Sequence, residues 1–179
     1  VLFRSEPDVR AQLPRRYVAA KFYGNVALPD TPANHAFVAG ALAALASETD
    51  VVLLNTGLRF DDHSELGAAA RSGRLHSIES LMTPANNLAV QSAVIRHADA
   101  YVGTYGGFSY LAPMLGTDAV TFYSDPGAFR FDHLEVAKRV FAALGAGGFS
   151  EIDIRRMRAL DAAFGGGRSV VAAIEASSR

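Results

Sequence analysis

Tyr101-Val102-Gly103-Thr104-Tyr105-Gly106-Gly107-Phe108-Ser109-Tyr110-Leu111-Ala112 decides how the rest of the chain is read. An apolar strand from Ala100 to Gly103 runs into paired glycines, and a helix over roughly Phe108 to Leu115 follows, stopped by Gly116. Paired glycines let the backbone approach a ligand closely, and the first turn of a helix offers unpaired N–H groups together with the positive end of its dipole. Tyr105, Gly106 and Gly107 therefore mark a candidate phosphate cradle, to which Thr104 and Ser109 would add hydroxyl donors. Glycines needed only for packing at a strand–helix turn explain the same spacing. Neither G-x-G-x-x-G nor GK[ST] occurs, which removes support for hydride transfer and for ATP hydrolysis by a P-loop.

Outward from this segment, strands and helices alternate. Tyr17 to Tyr23, closed by Gly24-Asn25, suits a buried strand. Ala33 to Glu48 reads as a helix with Phe37, Ala41, Ala44 and Leu45 on its apolar stripe, and Val51 to Leu54 as a parallel strand covered on both faces. A short helix is expected around Leu66 to Arg71, and a weaker strand over Leu75 to Ile78. Thr83-Pro84 then announces a helix carrying Leu88, Val94, Ile95 and Ala98. Downstream, Ala119 to Tyr123 is a strand, Ser124-Asp125-Pro126-Gly127 a turn, and Phe131 to Leu144 a helix with Leu134, Ala137, Phe141 and Leu144 on one side. Two further helices, Ile154 to Phe164 and Ser169 to Ala176, are expected in the tail. This alternation implies an α/β fold: a doubly wound, Rossmann-like parallel sheet that binds ligands outside the carboxyl ends of its strands.

Composition bounds the chemistry. The chain has 179 residues, about 1.2 times the ~150 typical of one domain. Half of the residues are apolar and 20% charged, and 17 Lys+Arg against 18 Asp+Glu leave a net charge of −1, which argues against disorder and against a basic nucleic-acid surface. Without cysteine there is no disulfide, thiolate nucleophile or Cys-ligated zinc. No apolar run reaches the ~18 residues of a membrane span, since Arg96, His97 and Asp99, then Pro113 and Asp118, interrupt the best candidates, so a cytoplasmic protein is expected. Val1-Leu2-Phe3-Arg4-Ser5 looks like read-through of a sequencing adapter. Residues 1–16 are accordingly expected to be scar and linker, and 17–179 one domain of a longer protein that continues upstream.

Arg96-His97-Ala98-Asp99-Ala100-Tyr101-Val102-Gly103, then Gly106-Gly107, Leu111-Ala112-Pro113-Met114-Leu115-Gly116 and Val120-Thr121-Phe122-Tyr123, resemble the C-terminal, donor-binding lobe of GT-B fold glycosyltransferases. The resemblance covers residues 17 to 145 as an order of elements and 96 to 126 as a motif. It implies binding of a nucleoside-diphosphate sugar as substrate, transfer of its sugar to an acceptor held by a separate N-terminal lobe, and no cofactor or metal. Sugar-nucleotide 2-epimerases share this lobe, so an isomerase, or a non-catalytic nucleotide-binding lobe, are the alternatives.

The same resemblance brings Lys21 toward the donor phosphates and His76 toward the base, and sets Asp125 and Arg130 near the sugar or ribose; a lysine snorkelling from a strand edge and a cap by Asp132 are the plainer accounts. Asn55-Thr56-Gly57, ending the second strand, would touch a ligand or form an Asx turn. Asp61-Asp62-His63 reads as a solvated loop rather than a metal site. Gln91, a turn into the next helix, lies toward the nucleotide base by the same resemblance or simply on a solvated helix face, and His35 and His97 read as surface or packing residues.

Overall fold

Alternation along the central strand sends Tyr101 to one face of a sheet and Val102 to the other, and both are buried because helices cover both faces. The computed structural model describes residues 9–57, 64–66 and 73–157. Its elements run β1 (Val18–Gly24), α1 (Pro32–Glu48), β2 (Val51–Leu53), β3 (Ser64–Leu66), β4 (Leu75–Ser77), α2 (Asn87–Arg96), β5 (Ala100–Thr104), α3 (Gly107–Met114), β6 (Ala119–Tyr123), α4 (Phe131–Leu144) and β7 (Phe149–Asp153).

Six strands pair in parallel in the order β4-β2-β1-β5-β6-β7, and β3 pairs antiparallel with the end of β1. The chain winds outward from β1 through β2 to β4, then crosses back to β5 and winds the other way. β1 and β5 are therefore neighbours whose connections leave in opposite directions, the switch point at which doubly wound sheets open a crevice. The fold is the expected doubly wound, Rossmann-like α/β arrangement. Ala19, Val52, Tyr101 and Ala119 pack with Val90, Val94 and Ile95 of α2 and Ala112 of α3, while Ala20, Val51, Val102 and Phe122 pack with Val38, Leu42 and Ala46 of α1.

Several expectations are corrected. The buried stripe of α1 is Asn34, Val38, Leu42 and Ala46; Phe37, Ala41 and Leu45 lie at its margin and Ala44 faces solvent. Alanines surround this helix almost evenly, so apolar spacing does not single out one face. α2 begins at Asn87, because Asn86 Oδ1 accepts from the Thr83 N–H at 2.6 Å and closes a turn ahead of the helix. In α4, Leu134 and Phe141 are buried, whereas Leu144 is 65% exposed. β3 stands where the start of a helix was expected, and β7 was missed altogether: Phe149-Ser150-Glu151-Ile152-Asp153 carries too few β-branched residues to announce itself, and its pairing with β6 holds it. Most of both tail helices, together with Asp61-Asp62-His63, lies outside the described residues. No helix among the described residues is long and apolar enough to cross a membrane.

Candidate functional site

The strand ends on either side of the switch point are drawn unusually close. A Cβ on Gly103 would fall on the Lys21 carbonyl oxygen, and one on Gly106 would fall on the Tyr23 hydroxyl. Both glycines are thus required by contact across the β1–β5 seam. Gly106 has φ 163°, an extended conformation open to any residue, so the Tyr23 hydroxyl and not the backbone angle demands glycine there.

Gly107 differs. It is exposed, and nothing lies within 4 Å of where its Cβ would stand. Among the described residues the N–H groups of Gly107 and Phe108 have no acceptor, while the N–H groups of Ser109 and Tyr110 both donate to the Gly106 carbonyl at 3.0 and 3.3 Å. The Gly106 N–H donates to Ser109 Oγ at 3.0 Å, and that hydroxyl donates back to the Gly106 carbonyl at 2.6 Å. The amides left for an anion are therefore those of residues 107 and 108.

The two hydroxyls expected to face a ligand turn inward. Thr104 Oγ1 accepts from the Tyr23 N–H at 3.0 Å and donates to the Tyr23 carbonyl at 2.9 Å, so it stitches β5 to β1. Ser109, like Thr104, is fully buried. Tyr105 is buried too: its ring stacks on Phe129 with centroids 4.3 Å apart, and its hydroxyl meets that of Tyr110. Burial raises the pKa of both phenols. The Tyr101 hydroxyl, beneath Gly103, is buried without a hydrogen-bond partner among the described residues, and burial raises its pKa well above the usual phenol value.

Lys21 is 8% exposed and its ammonium is bound by protein groups. It donates to the Leu54 carbonyl at 2.9 Å and to Gln91 Oε1 at 3.0 Å, lies 3.6 Å from Glu65 Oε1, and sits 4.9 Å from the centre of the Phe108 ring. Gln91 is accordingly a buried partner on α2, not a solvated face. Of the segment after β2, Asn55 and Thr56 are buried and Gly57 takes a left-handed φ of 63°. Thr56 donates to Glu65 Oε1 from its N–H at 2.7 Å and from its hydroxyl at 3.2 Å, and the Gly57 N–H points at Glu65 Oε2 at 3.4 Å.

His76 lies away from the crevice. Its Nε2 is 2.7 Å from Asp50 Oδ1, and Asp50 precedes the amino end of β2, so the ring is drawn toward the edge opposite the strand mouths. Asp125 caps the short turn Pro126–Ala128 by accepting from the Gly127 N–H at 2.8 Å. Arg130 flanks the site at the start of α4: its guanidinium pairs with Asp132 at 3.3 Å, its carbonyl accepts from Tyr105 Oη at 3.4 Å, and the Asp132 carboxyl, held by that guanidinium, has a lowered pKa. Asp132 serves Arg130 rather than the helix cap.

Three residues of the site escape a reading of the sequence. Asn25 donates from Nδ2 to the Tyr105 carbonyl at 3.1 Å and accepts the Ala27 and Leu28 N–H groups at 2.9 and 2.8 Å, which folds the β1–α1 loop over the mouth of β5. Tyr23 and Glu65 complete the set. Only Asn25, beside Gly24, carried a local turn signal; the partners of the other two are 83 and 44 residues away in sequence for Tyr23–Gly106 and Lys21–Glu65 respectively. Comparison with protein-family models, with curated proteins and with solved structures yields no match.

Proposed function

We propose that the chain binds the diphosphate of a nucleoside-diphosphate sugar at the β1–β5 switch point and serves as the donor-binding lobe of a GT-B type glycosyltransferase. The observation that carries this reading is the pair of N–H groups at Gly107 and Phe108, which open the first turn of α3 at the carboxyl edge of a doubly wound sheet with no side chain over Gly107. In transfer, the bond between the anomeric carbon and the leaving diphosphate oxygen breaks, and the electron pair stays on the phosphate. Two amides and the positive helix end stabilise that growing charge more strongly than the charge of the intact donor. A second lobe would supply the acceptor and the base that takes its proton.

The test is a thermal-shift and calorimetric panel of nucleoside diphosphates and their sugars. One base should be preferred, and ligand at 100 times its Kd should add about 2.7 kcal/mol of stability. Gly107→Asp, which sets an anion where phosphate would lie without meeting any neighbour, should abolish binding and leave the melting temperature within a few degrees of wild type. Undiminished affinity in that variant, or no stabilisation by any member of the panel, refutes the reading. Incubation with the preferred sugar nucleotide and no acceptor separates transfer from 2-epimerisation.

A further inference from the structure

One register level of the sheet carries polar side chains across the core. Lys21 of β1 pairs with Gly103 of β5, Gly103 with Thr121 of β6, and Thr121 with Glu151 of β7. Residues paired in register point to one face of a sheet, and here it is the face covered by α2, α3 and α4. Both ends of the row are satisfied within the protein. Lys21 donates to the Leu54 carbonyl and Gln91, and Glu151 is held by Lys138, whose Nζ lies 2.9 Å from Oε1 and 2.8 Å from Oε2.

The middle of the row is different. Thr121 is completely buried, and its hydroxyl has no hydrogen-bond partner among the described residues. Gly103 beside it has no side chain, and the Tyr101 hydroxyl reaches forward into that position, 2.7 Å from where a Gly103 Cβ would stand. Tyr101 is completely buried as well, and its hydroxyl is likewise without a partner among the described residues. Two orphaned hydroxyls therefore occupy adjoining positions on neighbouring strands, which run about 4.8 Å apart. An unpaired hydroxyl in an apolar interior is costly, and each of these can both donate and accept. Burial raises the Tyr101 pKa, so the phenol keeps its proton.

We propose that Tyr101 and Thr121 form an internal hydration site, in which one water molecule bridges their hydroxyls beneath Gly103 and α3. Buried waters make roughly 2 to 4 hydrogen bonds, and the two hydroxyls supply that minimum. The guest is neutral, because the lining hydroxyls are neutral and the charges at either end of the row are already paired. The bridge joins β5 to β6 just below their carboxyl ends, which carry the Gly106-Gly107 turn and the Asp125 turn. It involves neither the Gly107 nor the Phe108 amide, so it stands whether or not a nucleotide binds at α3.

Two measurements on the full chain test the site. A crystal structure should place a water oxygen about 2.7–3.0 Å from both Tyr101 Oη and Thr121 Oγ1. Tyr101→Phe and Thr121→Val, which remove the hydroxyls with little change of shape, should each lower the urea midpoint at unchanged slope. The double variant should fall by clearly less than the sum, since the first substitution already strips the water of a partner. A higher midpoint in Tyr101→Phe, as removal of an unpaired hydroxyl would give, or additive losses in the double variant, would overturn the proposal. So would a crystal structure in which no water oxygen contacts both hydroxyls, a result that decides the matter even where a variant fails to fold.

Discussion

The Tyr23 hydroxyl stands where a Cβ on Gly106 would have to be. One glycine of the pair is therefore spoken for by a tyrosine on the neighbouring strand, and the other, Gly107, is left open to solvent. Gly106→Ala should cost about 1–3 kcal/mol, the usual penalty for overpacking. Tyr23→Phe removes the clashing oxygen, so the double variant should recover part of that loss. A double-mutant cycle by urea unfolding measures it, and additive costs would show that the contact does not decide the residue at 106.

Thr104 is bonded to both the N–H and the carbonyl of Tyr23. Thr104→Val leaves both backbone groups without that partner and should destabilise by about 1–3 kcal/mol, with Thr104→Ser milder. Neither should change nucleotide affinity by more than about twofold, since the hydroxyl faces β1. A large affinity loss in Thr104→Val at unchanged stability would return this residue to the ligand.

Lys21 and Gln91 form one buried unit with the Leu54 carbonyl. Lys21→Met strands those two acceptors and the Glu65 charge, and a loss of about 2–4 kcal/mol is expected. Adding Gln91→Leu should then cost less than it does in wild type, because its partner has already gone. Equal costs in both backgrounds would show the pair to be uncoupled.

Ser64 and His35 both bond the Asp30 carboxylate, and the Ser64 bond is the larger cause of its lowered pKa. A depressed carboxyl pKa stabilises the fold above the unfolded value, near 3.8, and that contribution is lost as pH falls through the lower folded value. Asp30→Asn should therefore be less stable than wild type at neutral pH, and the difference should shrink below about pH 3.8. Denaturant midpoints at a series of pH values check this; a gap that stays constant down to pH 2 would contradict it.

Much of the fold was legible because its signals are local. Val51-Val52-Leu53, Ala119 to Tyr123, the Gly116 stop after α3 and the glycine pair before it each declare themselves within a few residues, and the alternation of elements already implied a doubly wound sheet. β3 and β7 were not legible, since three or five weakly β-forming residues become strands only when β1 or β6 is there to pair with them.

The candidate site divides along the same line. That amides at a helix start would face the carboxyl edge of the sheet is written in Gly106-Gly107-Phe108, since a missing Cβ and an uncapped first turn need no distant partner. Which of those amides stays open, why Thr104 and Ser109 turn inward, and where the Lys21 charge goes were decided only by the tertiary structure. Hydrogen bonds and ion pairs between Tyr23 and Thr104, or Lys21 and Glu65, join residues 81 and 44 positions apart, and pairing at that separation is set by the packing of strands rather than by any pattern along the chain.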